Sequence, residues 1–250
     1  MKRHLVFCVG IVSIALLALG AAAQTPLTAG DVLARMRANT TAVEDFDAHL
    51  TVRTYLDGEV KLTQELRLSL LQPDKMRQEY LSPDYLAGNL TIIVGDAMWT
   101  YIAASGTWYS KDLSLLSDAE QPWLAFRQLL RDAQDELENY TFSIVGIEDS
   151  AYHLRGTGES ADAVYGAIEL WVDPDTFVPR RRLLYDTDEN LLVDARVLDV
   201  EETAAGVFVA RRVETYDEAG TLRNTIDYDS VTTNRGLDPT LFAVPEEASS

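Results

Sequence analysis

The stretch AHLTVRTYLDGEVKLTQELRLSL, residues 48–70, decides the fold class. Before Asp57-Gly58, Ala48, Leu50 and Val52 alternate with His49, Thr51 and Arg53; after it, Val60, Leu62, Leu66, Leu68 and Leu70 alternate with Lys61, Thr63, Glu65 and Arg67. Side chains along a strand point to opposite faces in turn, so a period of two describes strands that are apolar on one face and polar on the other. An Asp-Gly pair supplies the positive backbone dihedrals of a two-residue turn. The segment is therefore an antiparallel hairpin with one apolar face to cover.

The same pattern continues downstream. Short alternating or apolar runs occupy 75–81, 90–95, 97–103, 107–110, 140–148, 151–156, 163–173, 178–186, 191–202, 207–218 and 221–232. Pro73, Pro83, Gly88, Gly95, Gly106, Asp173-Pro174-Asp175, Asp186 to Asn190, Gly206 and Gly220 punctuate them. Two segments depart from the strand period. At the start, Thr28 and Asp31 have the spacing of a helix cap, ahead of Val32, Leu33, Met36 and Val43. At 117–120 Ser-Asp-Ala-Glu forms a second cap; Pro122 fits the first turn, and Trp123, Phe126, Leu130, Ala133 and Leu137 make one stripe. With no β-α-β rhythm, the chain reads as mainly β: a single highly curved antiparallel sheet of about eleven strands, an unclosed β-barrel, with helices as its lid.

Two helices cannot cover so large an apolar face, so the strands either close over a packed core or surround an apolar cavity. Trp99 and Tyr101 share one face of their strand. With Leu66 and Leu68 they are the expected wall of such a cavity, and Trp123 and Phe126 are expected to close over it from the second helix.

Composition narrows the function. The 250 residues hold 21 Lys plus Arg against 40 Asp plus Glu, a formal charge of -19, with one cysteine and three histidines. A nucleic-acid partner is excluded by the missing basic face, and a zinc cluster or disulfide scaffold by the missing ligands and thiols. The acidity is explained by solubility about as well as by a cationic partner.

Met1-Lys2-Arg3-His4, an apolar run from Leu5 to Leu19 and Ala21-Ala22-Ala23 have the three parts of a secretory signal peptide, with cleavage expected after Ala23. Cys8 sits inside the apolar run and is removed with it, leaving 19 basic against 40 acidic residues once Lys2 and Arg3 are gone. The expected organisation is a signal peptide over 1–23 and one domain over 24–250, periplasmic or secreted.

No constellation of residues suggests catalysis. His49 and His153 lie in strand patterns with no nucleophile motif beside them. Asp186-x-Asp188-x-Asn190 begins like a calcium loop, but Leu191 replaces the required glycine and Val197 the closing glutamate, so a hairpin turn is expected. We expect no enzyme activity, no cofactor and no metal.

Several motifs in order resemble the LolA/LolB-like family of outer-membrane lipoprotein carriers. They are Val43 to Ala48 after the first helix, Gln72-Pro73-Asp74-Lys75-Met76-Arg77-Gln78-Glu79-Tyr80, Gly95-Asp96-Ala97-Met98-Trp99-Thr100-Tyr101, Leu170-Trp171-Val172-Asp173-Pro174 with Phe177-Val178-Pro179-Arg180, and Leu237 to Pro245. The resemblance spans most of the chain beyond the signal peptide. It implies an unclosed barrel around an apolar cavity that shields acyl chains, and it matches Arg77 to an arginine that holds the lid shut through backbone carbonyls. Read from the strand alone, Arg77 is equally a solvated surface arginine. The long acidic segment 106–139 departs from the shortest carriers of this family.

The expected function is an exported carrier or binder of acylated lipoproteins or lipids, working as a monomer with a membrane transporter or acceptor protein. The alternative is an envelope sensor or protein-interaction module of the same fold that transports nothing, as in RseB-like regulators.

Overall fold

Thr28 opens the first helix by accepting the Asp31 amide on its hydroxyl, while the Asp31 carboxylate accepts the Thr28 amide in return. Replacing Thr28 with alanine is expected to lower stability by about 1 kcal/mol. A urea unfolding midpoint equal to that of the wild type would show that the cap contributes nothing.

The computed structural model describes residues 27–115, 137–158 and 163–244. The expected signal peptide, Trp123, Phe126 and the helix expected from Pro122 up to residue 136 lie outside the described residues. The first helix, α1, spans Ala29–Thr41. Six strands follow: β1 (Asp45–Leu56), β2 (Glu59–Leu71), β3 (Lys75–Ser82), β4 (Leu90–Val94), β5 (Ala97–Ile102) and β6 (Thr107–Asp112). The second half supplies β7 (Tyr140–Glu148), β8 (Ala151–Gly158), β9 (Ala167–Val172), β10 (Pro179–Tyr185), β11 (Leu191–Glu202), β12 (Phe208–Tyr216) and β13 (Leu222–Thr233). Thirteen strands therefore stand where about eleven were expected. They coincide with the two arms of the 48–70 hairpin and the eleven runs after it, and Gly95 and Gly106, both at positive φ, turn the chain between β4, β5 and β6. Asp57 and Gly58 likewise both take positive φ, as the hairpin reading required.

All thirteen strands form one antiparallel sheet in the order β6-β5-β4-β3-β2-β1-β13-β12-β11-β10-β9-β8-β7. It is a meander folded back on itself: β1 and β13 pair at its centre, and β6 and β7 are its two ends. The sheet is curved and unclosed.

Residues directly opposite each other on paired strands share a face, so the register sorts every side chain. One face, called inner here, carries Leu154, Leu170, Ile168 and Leu184, and α1 packs Val32 and Met36 onto it. The helix is fixed at its far end by Asn39, whose amide exchanges two hydrogen bonds with the Phe208 backbone. Two further clusters continue along the inner face: Ala48, Leu50 and Leu66, then Met76, Ile93 and Met98 with Leu113.

The C-terminal segment crosses the outer face instead. Buried Asp45 accepts the backbone amides of Arg235, Gly236 and Leu237 at 3.0, 2.7 and 3.4 Å. The 3-10 turn Pro239–Phe242 then packs on β3 and β4, burying Phe242. As a result Thr91, Ile92 and Ile93 are buried in succession, so β4 is covered on both faces.

Candidate functional site

Beyond α1 the inner face stays apolar without being fully covered by the described residues. Val52, Ile226, Val213 and Val197 lie side by side across β1, β13, β12 and β11, and each is half-buried. The adjoining row runs Tyr80, Leu66, Leu50, Tyr228 across β3, β2, β1 and β13. Ala48 opposite Leu68 continues the floor. Tyr228 stands at its centre, edge-on to Phe46 with ring centroids 6.3 Å apart. Burial pushes the Tyr228 phenol up, yet the side chain keeps part of its surface accessible, as expected at the bottom of a concavity. This floor is apolar, with a few neutral polar groups set among its side chains.

The register separates the residues that the sequence placed together. Leu66 and Leu68 are on the inner face. Leu68 lies opposite Gln78, Gln78 opposite Thr91 and Thr91 opposite Thr100, so Trp99 and Tyr101, the neighbours of Thr100, point to the outer face. They do not share a wall with the two leucines. Trp99 contributes instead to a cavity of about 520 Å³ at the ends of β4 to β6, with Val94, Ala97, Met98 and the polar groups of Asp96, Lys111 and Asp112. Tyr101 packs on Trp108 with ring centroids 5.1 Å apart.

Arg77 also lies on the outer face, opposite Ser69 and Ile92. It donates to the Leu241 carbonyl at 3.3 Å and to Glu79 at 3.0 Å. The backbone carbonyl that Arg77 meets thus belongs to the C-terminal segment on the outer face. Tyr228, Val52, Ile226 and Val213 were missing from the sequence-derived wall. Their signal was the same alternation, in residues 221–232 and 207–218.

The outer face is electrostatic. His153 stacks on Trp171 with centroids 4.1 Å apart, and its ring nitrogens lie 3.1 Å from Glu148 and 3.1 Å from Glu169. Arg181 covers the other end of this group, with its guanidinium carbon 5.0 Å from the Trp171 ring centre. It also donates to Asp194, which in turn accepts from Arg196. Further along, Arg212 and Arg53 both pair with Asp227. These groups account for both strand histidines' neighbourhood and for many of the acids, since His153 is held by two carboxylates and His49 is exposed on the same face. Asp186 accepts the amides of Asp188 and Asn190, so the calcium-like tripeptide is a hairpin turn as expected. Among the described residues no group of three or more His, Cys, Asp or Glu is arranged to hold a metal ion.

The ladder has a pH signature. Burial pushes Asp194 up, but hydrogen bonds from Arg181 and Arg196 outweigh it and hold the carboxyl below its usual range. Asp47 is held low in the same way by Arg67 and Ser69 against its burial. A carboxyl whose folded value lies below its unfolded one stabilises fully above the unfolded value, near pH 4, and that contribution fades as pH falls through the folded value. Urea unfolding is therefore expected to change little from pH 7 to 5 and to lose stability as the pH falls below about 4. Asp194→Asn should flatten that fall; an equally steep fall in the variant would remove Asp194 from the explanation.

Comparison with known proteins adds the following. A family model described as "Uncharacterized protein" matches residues 73–246. No curated protein matches the chain. Among solved structures, a DUF1329 family protein from Desulfovibrio piger is similar at 18% identity and a TM-score of 0.68, covering 85% of this chain and 95% of that one. A putative outer membrane lipoprotein-sorting protein domain from Vibrio parahaemolyticus matches at 15% identity and a TM-score of 0.67, covering 84% and 95%. A LolA superfamily protein from Nitrosomonas europaea matches at 18% identity and a TM-score of 0.63, covering 88% and 99%. At these identities the likeness is one of fold.

Proposed function

The chain belongs to the family whose model matches residues 73–246 and has a LolA-like fold, and from that premise we propose that it is an exported carrier or binder of acyl chains, borne by lipoproteins or by lipids. The observation that supports this best is the inner face. Val52, Ile226, Val213, Val197 and Leu68 form an apolar floor, half-buried on the described residues, in a sheet that does not close. A monomer buries such a surface only by covering it, and an acyl chain contributes about 0.8 kcal/mol for each CH₂ placed there. A dozen methylenes then offset transfer from a membrane by about 10 kcal/mol without any catalytic group.

In this reading the chain is made with a signal peptide over 1–23, is released after Ala23 as a domain over 24–250, and works in the periplasm or outside the cell. It is not an enzyme. It takes its cargo from, or delivers it to, a membrane transporter or acceptor protein.

Native mass spectrometry of the protein purified from its own envelope tests the proposal. Co-purifying acyl species are the expected result. A clean apo mass, together with no uptake of a fluorescent fatty acid, would overturn the carrier reading in favour of a sensor or protein-interaction module. Lipid attached to Cys8 would overturn the assignment of a released domain.

A further inference from the structure

One row of the inner face breaks its apolar character. Leu68, Gln78, Thr91 and Thr100 stand side by side across β2, β3, β4 and β5. Gln78 is 7% exposed and Thr91 8% exposed. Neither the Gln78 amide nor the Thr91 hydroxyl makes a hydrogen bond among the described residues; both side chains are largely enclosed, while their polar atoms keep a little access to solvent. On one side lie Leu66 and Tyr80, and on the other Leu70, Met76, Ile93 and Met98.

A largely enclosed amide or hydroxyl with no protein partner is costly unless water or a ligand pairs with it. An inner face built only to be a core would carry apolar residues in this row. Gln78 offers one acceptor and two donors, and a threonine hydroxyl offers both functions. Neither carries charge, and among the described residues the charged inner-face side chain nearest in the register is Lys111, on β6 opposite Met98. A carboxylate or phosphate would call for an arginine or lysine in the row itself. A neutral carbonyl fits it.

We propose that Gln78 and Thr91 form a polar subsite that hydrogen-bonds the neutral ester or amide linkage of an acylated ligand, with the acyl chain lying along the apolar floor toward β1 and β13. This rests on the acyl-binding reading above and deepens it. The floor sets that a chain binds; the polar row sets which chemistry joins that chain to its head. Gln78 and Thr91 thereby discriminate an acyl ester from an equally long chain that lacks the carbonyl.

The test uses 1-monopalmitoylglycerol and its ether analogue 1-O-hexadecylglycerol, which has the same chain length and no carbonyl, together with palmitate. Each displaces a fluorescent fatty acid from the full chain, from Gln78→Met and from Thr91→Val. Circular dichroism confirms that both variants fold, and Thr91→Val keeps shape while removing the hydroxyl. Wild type is expected to bind the ester about fivefold to tenfold more tightly than the ether, one or two hydrogen bonds' worth. Each variant should lose most of that preference while binding the ether as wild type does. Equal preference in wild type and both variants would overturn the subsite, as would tighter binding of palmitate than of the ester. If wild type binds none of the three, the acyl-binding reading itself falls, which is a different outcome from loss of discrimination.

Discussion

Leu68→Glu is expected to weaken acyl-chain binding at least a hundredfold while leaving the sheet folded. Leu68 lies on the inner face between Ala48 and Gln78 and remains half-buried, so a glutamate there can be accommodated in the free protein by reaching water. Once an acyl chain covers the floor, that carboxylate has to be desolvated or protonated, at a cost of several kcal/mol. Trp99→Ser is the matched control. It removes a larger apolar side chain, but from the outer face, so displacement of a fluorescent fatty acid should be nearly unchanged. A loss of binding in Trp99→Ser with none in Leu68→Glu would place the ligand on the other side of the sheet.

The second large effect is on stability. Asp45→Ala should destabilise the protein by about 3 kcal/mol or more, because three backbone amides lose their acceptor in a place where Asp45 itself is only 4% exposed. Those amides begin the segment that buries Phe242 and Ile92 and accepts Arg77 at the Leu241 carbonyl, so the loss extends beyond the three bonds. Asp45→Asn keeps one carbonyl oxygen and should recover part of the difference. Denaturant unfolding reads both. If Asp45→Ala unfolds at the wild-type midpoint, the C-terminal crossing contributes nothing to the global fold, and its attachment is merely local.

Much of the sheet was legible because alternation is a property of a single strand. Residues 48–70 carried it with a turn whose two residues take the backbone conformation they suggested, and Thr28 with Asp31 marked the start of the first helix to the residue. What alternation does not carry is how one strand's apolar face aligns with the next, since that depends on pairing. In β5 the cue inverts: aromatic Trp99 and Tyr101 look like the buried side, whereas Met98 and Thr100 are the inner positions. The reason is a distant one. The segment ending at Phe242 covers the outer face of β3 and β4, so apolar residues are favoured on both sides there and polarity stops reporting the face. Gln78 escaped for the opposite reason, because a glutamine in a strand reads as solvent-facing until its neighbours are known.

The central pairing of β1 with β13 sets the timetable of folding. Every other pair in the sheet joins strands that are neighbours in the sequence, so each half of the molecule zips up by local hairpin closure. The seam is the exception: its two partners are the first and last strands to leave the ribosome, and bringing them together closes the longest loop in the chain. Until that last strand is made, the two half-sheets have no common middle and the floor of Val52, Ile226 and Val213 does not exist. Contact order is thus concentrated in a single late event, and a chain truncated before β13 keeps its hairpins but has no concavity to offer a ligand.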